Sequence, residues 1–341
     1  MIYLFLVFIA ISMYKISFKN IDSIDTDALD KERTTMVNGF FVGLVLFSHF
    51  NSYAKSNLPI DSIYYFVFKI GQLMVTTFLF YSGYGIYESI KNKKNYIDTF
   101  FRKRIVKLFI SVCLSIILYL ILDLAIGKNY SVADVLLSLT GFKSIGNSNW
   151  FIFATFCMYF SVLISFKIFK KDHLSAILMC LIFTFCYILS IMKFVGYAWW
   201  CNTILCFNAG MIFSYYKEKI LDFLKNNYHY IFTLIILGFI FILSTLNNSG
   251  YFTYNIISLS FVLAIVILSL KIKVGNKFLF WLGKNTFNIY ILQRLTYIFY
   301  DYIGLKTYNI YLYFIVSVVT LLILMIPFER ILNKIIEKMK I

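Results

Sequence analysis

The sequence predicts an all-α polytopic membrane protein of about eleven transmembrane helices, with its N-terminus outside and its C-terminus in the cytoplasm. Three observations predict it. The 341 residues are 61% hydrophobic, and mean hydropathy is +0.80, more apolar than a soluble chain of this length carries. Several apolar runs are long enough to cross the ~30 Å hydrocarbon core of a bilayer, whereas the ten-residue alternation of a membrane β-barrel is missing. Finally, the basic residues are concentrated in alternate loops.

The spans follow in order. MIYLFLVFIAISMY makes up the first span, roughly 1–15; it has no leading basic region and no small-residue cleavage site, so it reads as retained. Segment 17–36, with Asp22, Asp25, Asp27, Asp30 and Glu32, reads as a polar surface loop. Spans are then expected at 37–54, 61–89 (long, hence tilted), 106–126, 149–168, 174–192, 197–215, 229–246, 252–270, 279–302 and 308–328. The tenth is interrupted by Gly283, Lys284 and Asn285, so its membrane part is expected to start at Thr286. There is no repeat, low-complexity tract or Pro/Gly linker, and residues 1–341 are expected to form one domain.

Charge fixes the expected orientation. With the N-terminus outside, the inner segments 15–36, 90–107, 167–173, 216–228, 271–278 and 329–341 hold 24 of the 32 Lys and Arg, Lys19 among them. The outer loops hold only Lys55, Lys128, Lys143, Lys193 and Lys306. Lys69, Lys284 and Arg294 fall in or near spans. The net charge of +16 is therefore a positive-inside signal rather than a nucleic-acid footprint. Membrane lipids are its expected surroundings. The six cysteines, Cys113, Cys157, Cys180, Cys186, Cys201 and Cys206, lie in or beside apolar spans without a CxxC pair. They read as buried small hydrophobes, and no metal site is expected.

Chemistry is sought at polar groups inside the spans, because an ionisable side chain is costly there. Of three histidines, His173 and His229 sit in short polar linkers, while His49 lies in VNGFFVGLVLFSHFNSY, in the outer half of the second span. Packing against a neighbouring helix and proton transfer near neutral pH are both open to it. The tenth span, WLGKNTFNIYILQRL, carries Asn288, Gln293 and Arg294. Arg294 is too deep to reach the inner surface and must face protein or a wet cavity. At the inner mouth of the fourth span, FFRKRIVK gathers Arg102, Arg104 and Lys107, which can hold phosphate oxygens or anchor the chain to anionic lipid. Ser82, Gly83 and Gly85 in FLFYSGYGI allow close helix packing. Asn149 and Trp150 stand at the outer interface.

Taken in order, NGFFVGLVLFSH, FLFYSGYGI, FFRKRIVK, the NWF that opens the fifth span and LGKNTFNIYILQ resemble the acyltransferase-3 family of bacterial membrane O-acyltransferases, from about Lys31 to Phe328. The resemblance implies ten or eleven helices in a bacterial plasma membrane. It implies transfer of acetyl or another short acyl group from acyl-CoA to a hydroxyl of a surface polysaccharide, lipid-linked sugar or related envelope molecule. It makes His49 the family's essential histidine and matches its RxxR element to Arg104 and Lys107. Three positions depart from the family pattern. Asn38 stands where Arg or Lys is usual eleven residues before the histidine, with Arg33 or Lys31 as candidate replacements. Lys107 replaces the second arginine, and Gln293 replaces a late histidine. The departures imply a divergent subfamily or altered activity.

The expected mechanism brings acetyl-CoA from the cytoplasmic side onto Arg102, Arg104 and Lys107. His49 acts as general base, and Asn38, Gln293 or Arg294 orients it or steadies the oxyanion. Two other classes stand against this: a transporter or flippase for lipid-linked sugars, with Arg294 and Lys69 along its path, and an envelope polysaccharide polymerase. A polymerase calls for a large outer loop, and 127–148 is modest.

Overall fold

The computed structural model describes residues 1–18, 24–55, 58–247 and 250–341. Lys19 lies outside the described residues, as does the side chain of Lys69. The described chain is almost wholly helical: α1 (Ile2–Met13), α2 (Lys31–Phe50), α3 (Asp61–Val67), α4 (Thr76–Asn92), α5 (Tyr96–Phe100), α6 (Lys107–Ala125), α7 (Val132–Leu139), α8 (Trp150–Ile168), α9 (His173–Phe194), α10 (Leu205–Tyr215), α11 (Lys217–Leu224), α12 (Asn227–Leu246), α13 (Tyr251–Ser269), α14 (Lys277–Lys284), α15 (Thr286–Tyr302), α16 (Leu305–Tyr308) and α17 (Ile310–Lys338). Two short strands, β1 (Ser17–Phe18) and β2 (Ile272–Lys273), pair antiparallel.

Among the described residues six helices are long and apolar enough to cross a membrane: α5–α6 as one rod, α8, α9, α12, α13 and α17. A seventh arises if the bent pair α3 and α4 counts as one span. That pair corrects the expected tilt of segment 61–89. The segment does not run straight: it breaks by 63° where Gly71 takes φ 50°, ψ −114° inside a 3-10 stretch, a backbone state open to glycine. Expected span 37–54 falls mostly in α2, a continuous 20-residue helix outside the six; the remaining expected spans are shorter or broken. α1 has 12 residues. Segment 197–215 enters through turns and becomes α-helical only over the 11 residues of α10. Segment 279–302 divides at Asn285, and its second half starts at Thr286.

Polar contacts gather the helix ends into two groups. Asn276 caps α14 through its carbonyl oxygen (2.8 Å to Leu279 N) and donates to the Ile11 carbonyl (2.9 Å). The Tyr87 hydroxyl meets His173 Nδ1 at 3.1 Å, Ser214 Oγ donates to Glu88 at 2.7 Å, and Arg102 donates to the Met339 carbonyl at 3.2 Å. Each of these joins residues of the expected inner segments or of the span ends next to them. At the other end Tyr187 donates to the Trp200 carbonyl (2.8 Å), and the Met1 amino group pairs with buried Asp61 (2.7 Å).

Glycines let the helices that frame the interior come close, as small residues do in membranes. A Cβ on Gly39 would lie 1.9 Å from the Leu279 carbonyl oxygen, and one on Gly283 only 1.8 Å from that of Thr35, so α2 and α14 touch backbone to backbone. Gly83 and Gly210 do the same for α4 and α10, each about 2.0 Å from the facing carbonyl. Gly85, expected to pack likewise, meets nothing within 4 Å; it faces open space inside the protein. The cysteines are unpaired; Cys186 departs from the expectation of burial and is exposed on α9.

Candidate active site

A cavity of about 930 Å³ opens among α2, α4, α6, α8, α14, α15 and α17. One face of α4 runs along it, from Phe78 and Leu79 through Tyr81, Ser82, Tyr84 and Gly85 to Glu88 and Ser89. At 1.5 Å per residue that stripe is roughly 16 Å deep. The mouth is cationic: Lys31, Lys93, Lys103, Arg104, Lys107, Lys217 and Lys284 line it against Asp30, Glu88 and Glu329. Such a concave, positive, partly apolar space suits a ligand with anionic and apolar parts.

The basic cluster divides. Between α5 and α6 the chain makes a π-helical stretch, Phe101–Val106, which winds more residues into each turn than an α-helix. Lys103, Arg104 and Lys107 face the cavity, and Arg104 Nε donates to the Tyr96 hydroxyl at 3.1 Å. Arg102 does not line it. Its guanidinium turns outward to the Met339 and Lys340 carbonyls of the C-terminal tail. Of the two replacements considered for Asn38, Arg33 is held by Asp25 (2.5 Å) and the Val274 carbonyl (3.4 Å), while Lys31 lines the cavity.

His49 sits in the last turn of α2. Two tyrosine hydroxyls clamp that turn: Tyr297 donates to the Leu46 carbonyl (3.0 Å) and Tyr64 to that of Phe47 (3.1 Å). Phe47 stacks on Phe314 with ring centroids 4.5 Å apart, and Phe50 meets Tyr313 at 4.7 Å. The imidazole is therefore carried on a rigid element. Its Nδ1 is buried and makes no hydrogen bond among the described residues, which leaves a nitrogen lone pair or N–H free for chemistry.

α15 supplies the facing wall. Tyr119 donates to its Ile291 carbonyl (3.2 Å) and Tyr313 to its Tyr297 carbonyl (2.8 Å). Tyr290 places its ring 5.9 Å from the His49 ring, tilted by 56°, and also lines the cavity. Arg294, one turn further along the same face, holds its guanidinium carbon 5.9 Å from the Tyr53 ring centroid. Its charge bears on His49, Tyr53, Tyr119 and Tyr290.

The structure thus brings His49, Arg294 and Tyr290 together and places Arg104 and Lys107 at the far mouth of the cavity. Asn38 lies with the cavity, eleven residues before His49 on one helix, roughly 16 Å away. Gln293 is buried, and its amide nitrogen bonds the Tyr290 carbonyl of its own helix at 3.3 Å. Asn288 also lines the cavity. Tyr290 escaped sequence reasoning. The signal available was its spacing of four residues before Arg294. Among the described residues no group of three or more His, Cys, Asp or Glu could hold a metal ion.

Fold and site define a helical membrane protein in which a cationic cavity reaches Tyr290, whose ring in turn meets that of the half-buried His49. The chain belongs to the acyltransferase-3 family: the family profile, described as an acyltransferase domain, matches residues 37–329, and membership implies membrane acyltransferase activity. No curated protein and no solved structure matches the chain.

Proposed function

We propose that this protein is an O-acyltransferase of the bacterial plasma membrane. It moves an acetyl group from acetyl-CoA to a hydroxyl of an envelope polysaccharide or lipid-linked sugar. The supporting observation is the cavity, cationic at its mouth and closed at its deep end by Tyr290 against His49. In this reading the whole chain acts as one domain with eleven crossings, N-terminus outside, and the cavity opens to the cytoplasm.

Arg104, Lys107 and Lys31 hold the phosphates of the donor. Arg104 does so with a planar fork, the lysines as point charges. The thioester extends towards α15. His49 takes the proton of the acceptor hydroxyl as its oxygen attacks the thioester carbonyl; the new C–O bond forms, the C–S bond breaks, and the proton passes on to the departing thiolate. A base so placed supplies ~10²–10⁴-fold in rate. Arg294, the cation nearest the imidazole, steadies the oxyanion. Asn38 touches the donor rather than the base, and Gln293 fixes the turn of α15 that carries Tyr290.

The test is acyl-CoA consumption and ester formation in membranes carrying wild type or His49→Ala. Coupled appearance of free thiol and ester in wild type, lost in the variant at equal protein, is the expected result. A transporter or flippase would consume no thioester.

A further inference from the structure

We infer that Tyr290 is the constriction that the donor's acyl group must pass to reach His49, and that it restricts the donor to short acyl thioesters. The inference rests on the proposed function and adds the residue that selects the acyl group. Among the described residues that line the cavity, Tyr290 is the one whose ring meets the His49 ring.

The deep end of the cavity is an aromatic wall. Phe78 meets Phe151 at 6.4 Å edge to face, and Phe151 meets Tyr290 at 5.0 Å. The three are 7%, 8% and 2% exposed, so little room is left between them. A reacting carbonyl must come within ~3–3.5 Å of the attacking oxygen, which His49 holds on the other side of this wall. A two-carbon acyl group can enter beside one ring. A longer tail must displace rings that already pack to near contact, which cores resist.

Tyr290 is also less tied to the main chain than the tyrosines around it. Its neighbours Tyr119, Tyr297 and Tyr313 each donate a hydroxyl hydrogen bond to a backbone carbonyl. The Tyr290 hydroxyl is buried and meets no backbone carbonyl among the described residues; the group beside it is the Ser148 side chain, so its rotation breaks no main-chain bond, whereas theirs would.

The experiment compares acetyl-, butanoyl- and octanoyl-CoA as donors for wild type, Tyr290→Phe and Tyr290→Ala in the same membranes, reading thiol release and ester formation. Wild type should favour acetyl over octanoyl by at least ~10-fold in kcat/KM, the order expected when methylenes are excluded from a pocket. Tyr290→Phe keeps the ring and should keep the preference. Tyr290→Ala should lower it by ~10-fold or more. A wild type that uses all three donors equally overturns the inference, as does an active Tyr290→Ala with an unchanged ratio. Should Tyr290→Ala fail to accumulate, Tyr290→Trp takes its place: the larger ring should cut butanoyl use more than acetyl use, and an unchanged ratio overturns the inference. If wild type consumes no acyl-CoA at all, the proposed function falls and the inference with it; loss of selectivity alone leaves that function standing.

Discussion

Replacing Gly39 by alanine perturbs the site from a distance, because Gly39 marks the closest approach of α2 to α14. The added Cβ would stand 1.9 Å from the Leu279 carbonyl oxygen, 2.8 Å from its carbon and 2.9 Å from Gly283 N, whereas ordinary contact begins at 3.4 Å. These are backbone atoms and no rotamer relieves the overlap, so α2 and α14 must part by about 1.5 Å. Overpacking of this kind costs ~1–3 kcal/mol. The catalytic effect should be larger. α2 carries both Asn38 on the cavity wall and His49 in its last turn, and a ~1 Å misplacement of reacting groups costs on the order of 10²-fold in rate. Gly238→Ala is the control: nothing lies within 4 Å of its Cβ, and alanine within a helix gains ~0.5–1 kcal/mol over glycine. The assay is initial acyl transfer per unit of membrane-inserted protein, with a melting curve in detergent. Gly39→Ala should fall by about 100-fold and melt lower, while Gly238→Ala should match or exceed wild type. A Gly39→Ala protein with wild-type rate and melting point would refute the reasoning, since the contact between α2 and α14 would then not set the site.

Three further outcomes are expected. His49→Ala should lose ~10²–10⁴-fold of its acyl transfer with unchanged protein in the membrane; full activity would remove His49 from the chemistry. Arg104→Ala should raise the Michaelis constant for acyl-CoA by about 10- to 150-fold, from the ~1.5–3 kcal/mol of a charged hydrogen bond. Arg104→Lys should lose part of that affinity and Lys107→Arg should keep or improve it, while Arg102→Ala, which faces the C-terminal tail, should leave donor affinity unchanged. An acyl-CoA dependence blind to Arg104 would move the donor site elsewhere. Labelling of single cysteines placed at Lys143 and in the C-terminal tail should reach the first from outside and the second only from the cytoplasm; a tail labelled from outside reverses the proposed orientation.

The helical membrane class was legible because it follows from composition and charge placement, which do not depend on how helices pack. The start of α15 at Thr286 was legible for a similar reason: Gly283, Lys284 and Asn285 interrupt an apolar run. The break at Gly71 was not: Lys69 and Gln72 flank the glycine, but apolar runs continue on both sides of FKIGQLMV, and only the backbone angles reveal the turn. The separation of Arg102 from Arg104 was readable, because residues two apart on a helix do not share a face whereas those three or four apart do; the π-helical form of Phe101–Val106 was not. Gly83 was readable as a packing glycine, but Gly85 has the same sequence look and faces the cavity. Tyr290 was hidden by number: among 27 tyrosines and 38 phenylalanines, its spacing of four residues before Arg294 is a weak mark, and its placement against both the cavity and the histidine is what singles it out.

The most direct measurement of the central claim uses membrane vesicles of known orientation. Acetyl-CoA labelled in its acetyl group is supplied only to the face that carries the C-terminal tail, together with an extract of the cell's own lipid-linked and surface glycans. The proposed function expects label to appear in alkali-labile ester on the glycan, one free thiol per ester, and neither product with His49→Ala. Glycan that crosses the vesicle membrane while all the label stays on CoA would contradict it.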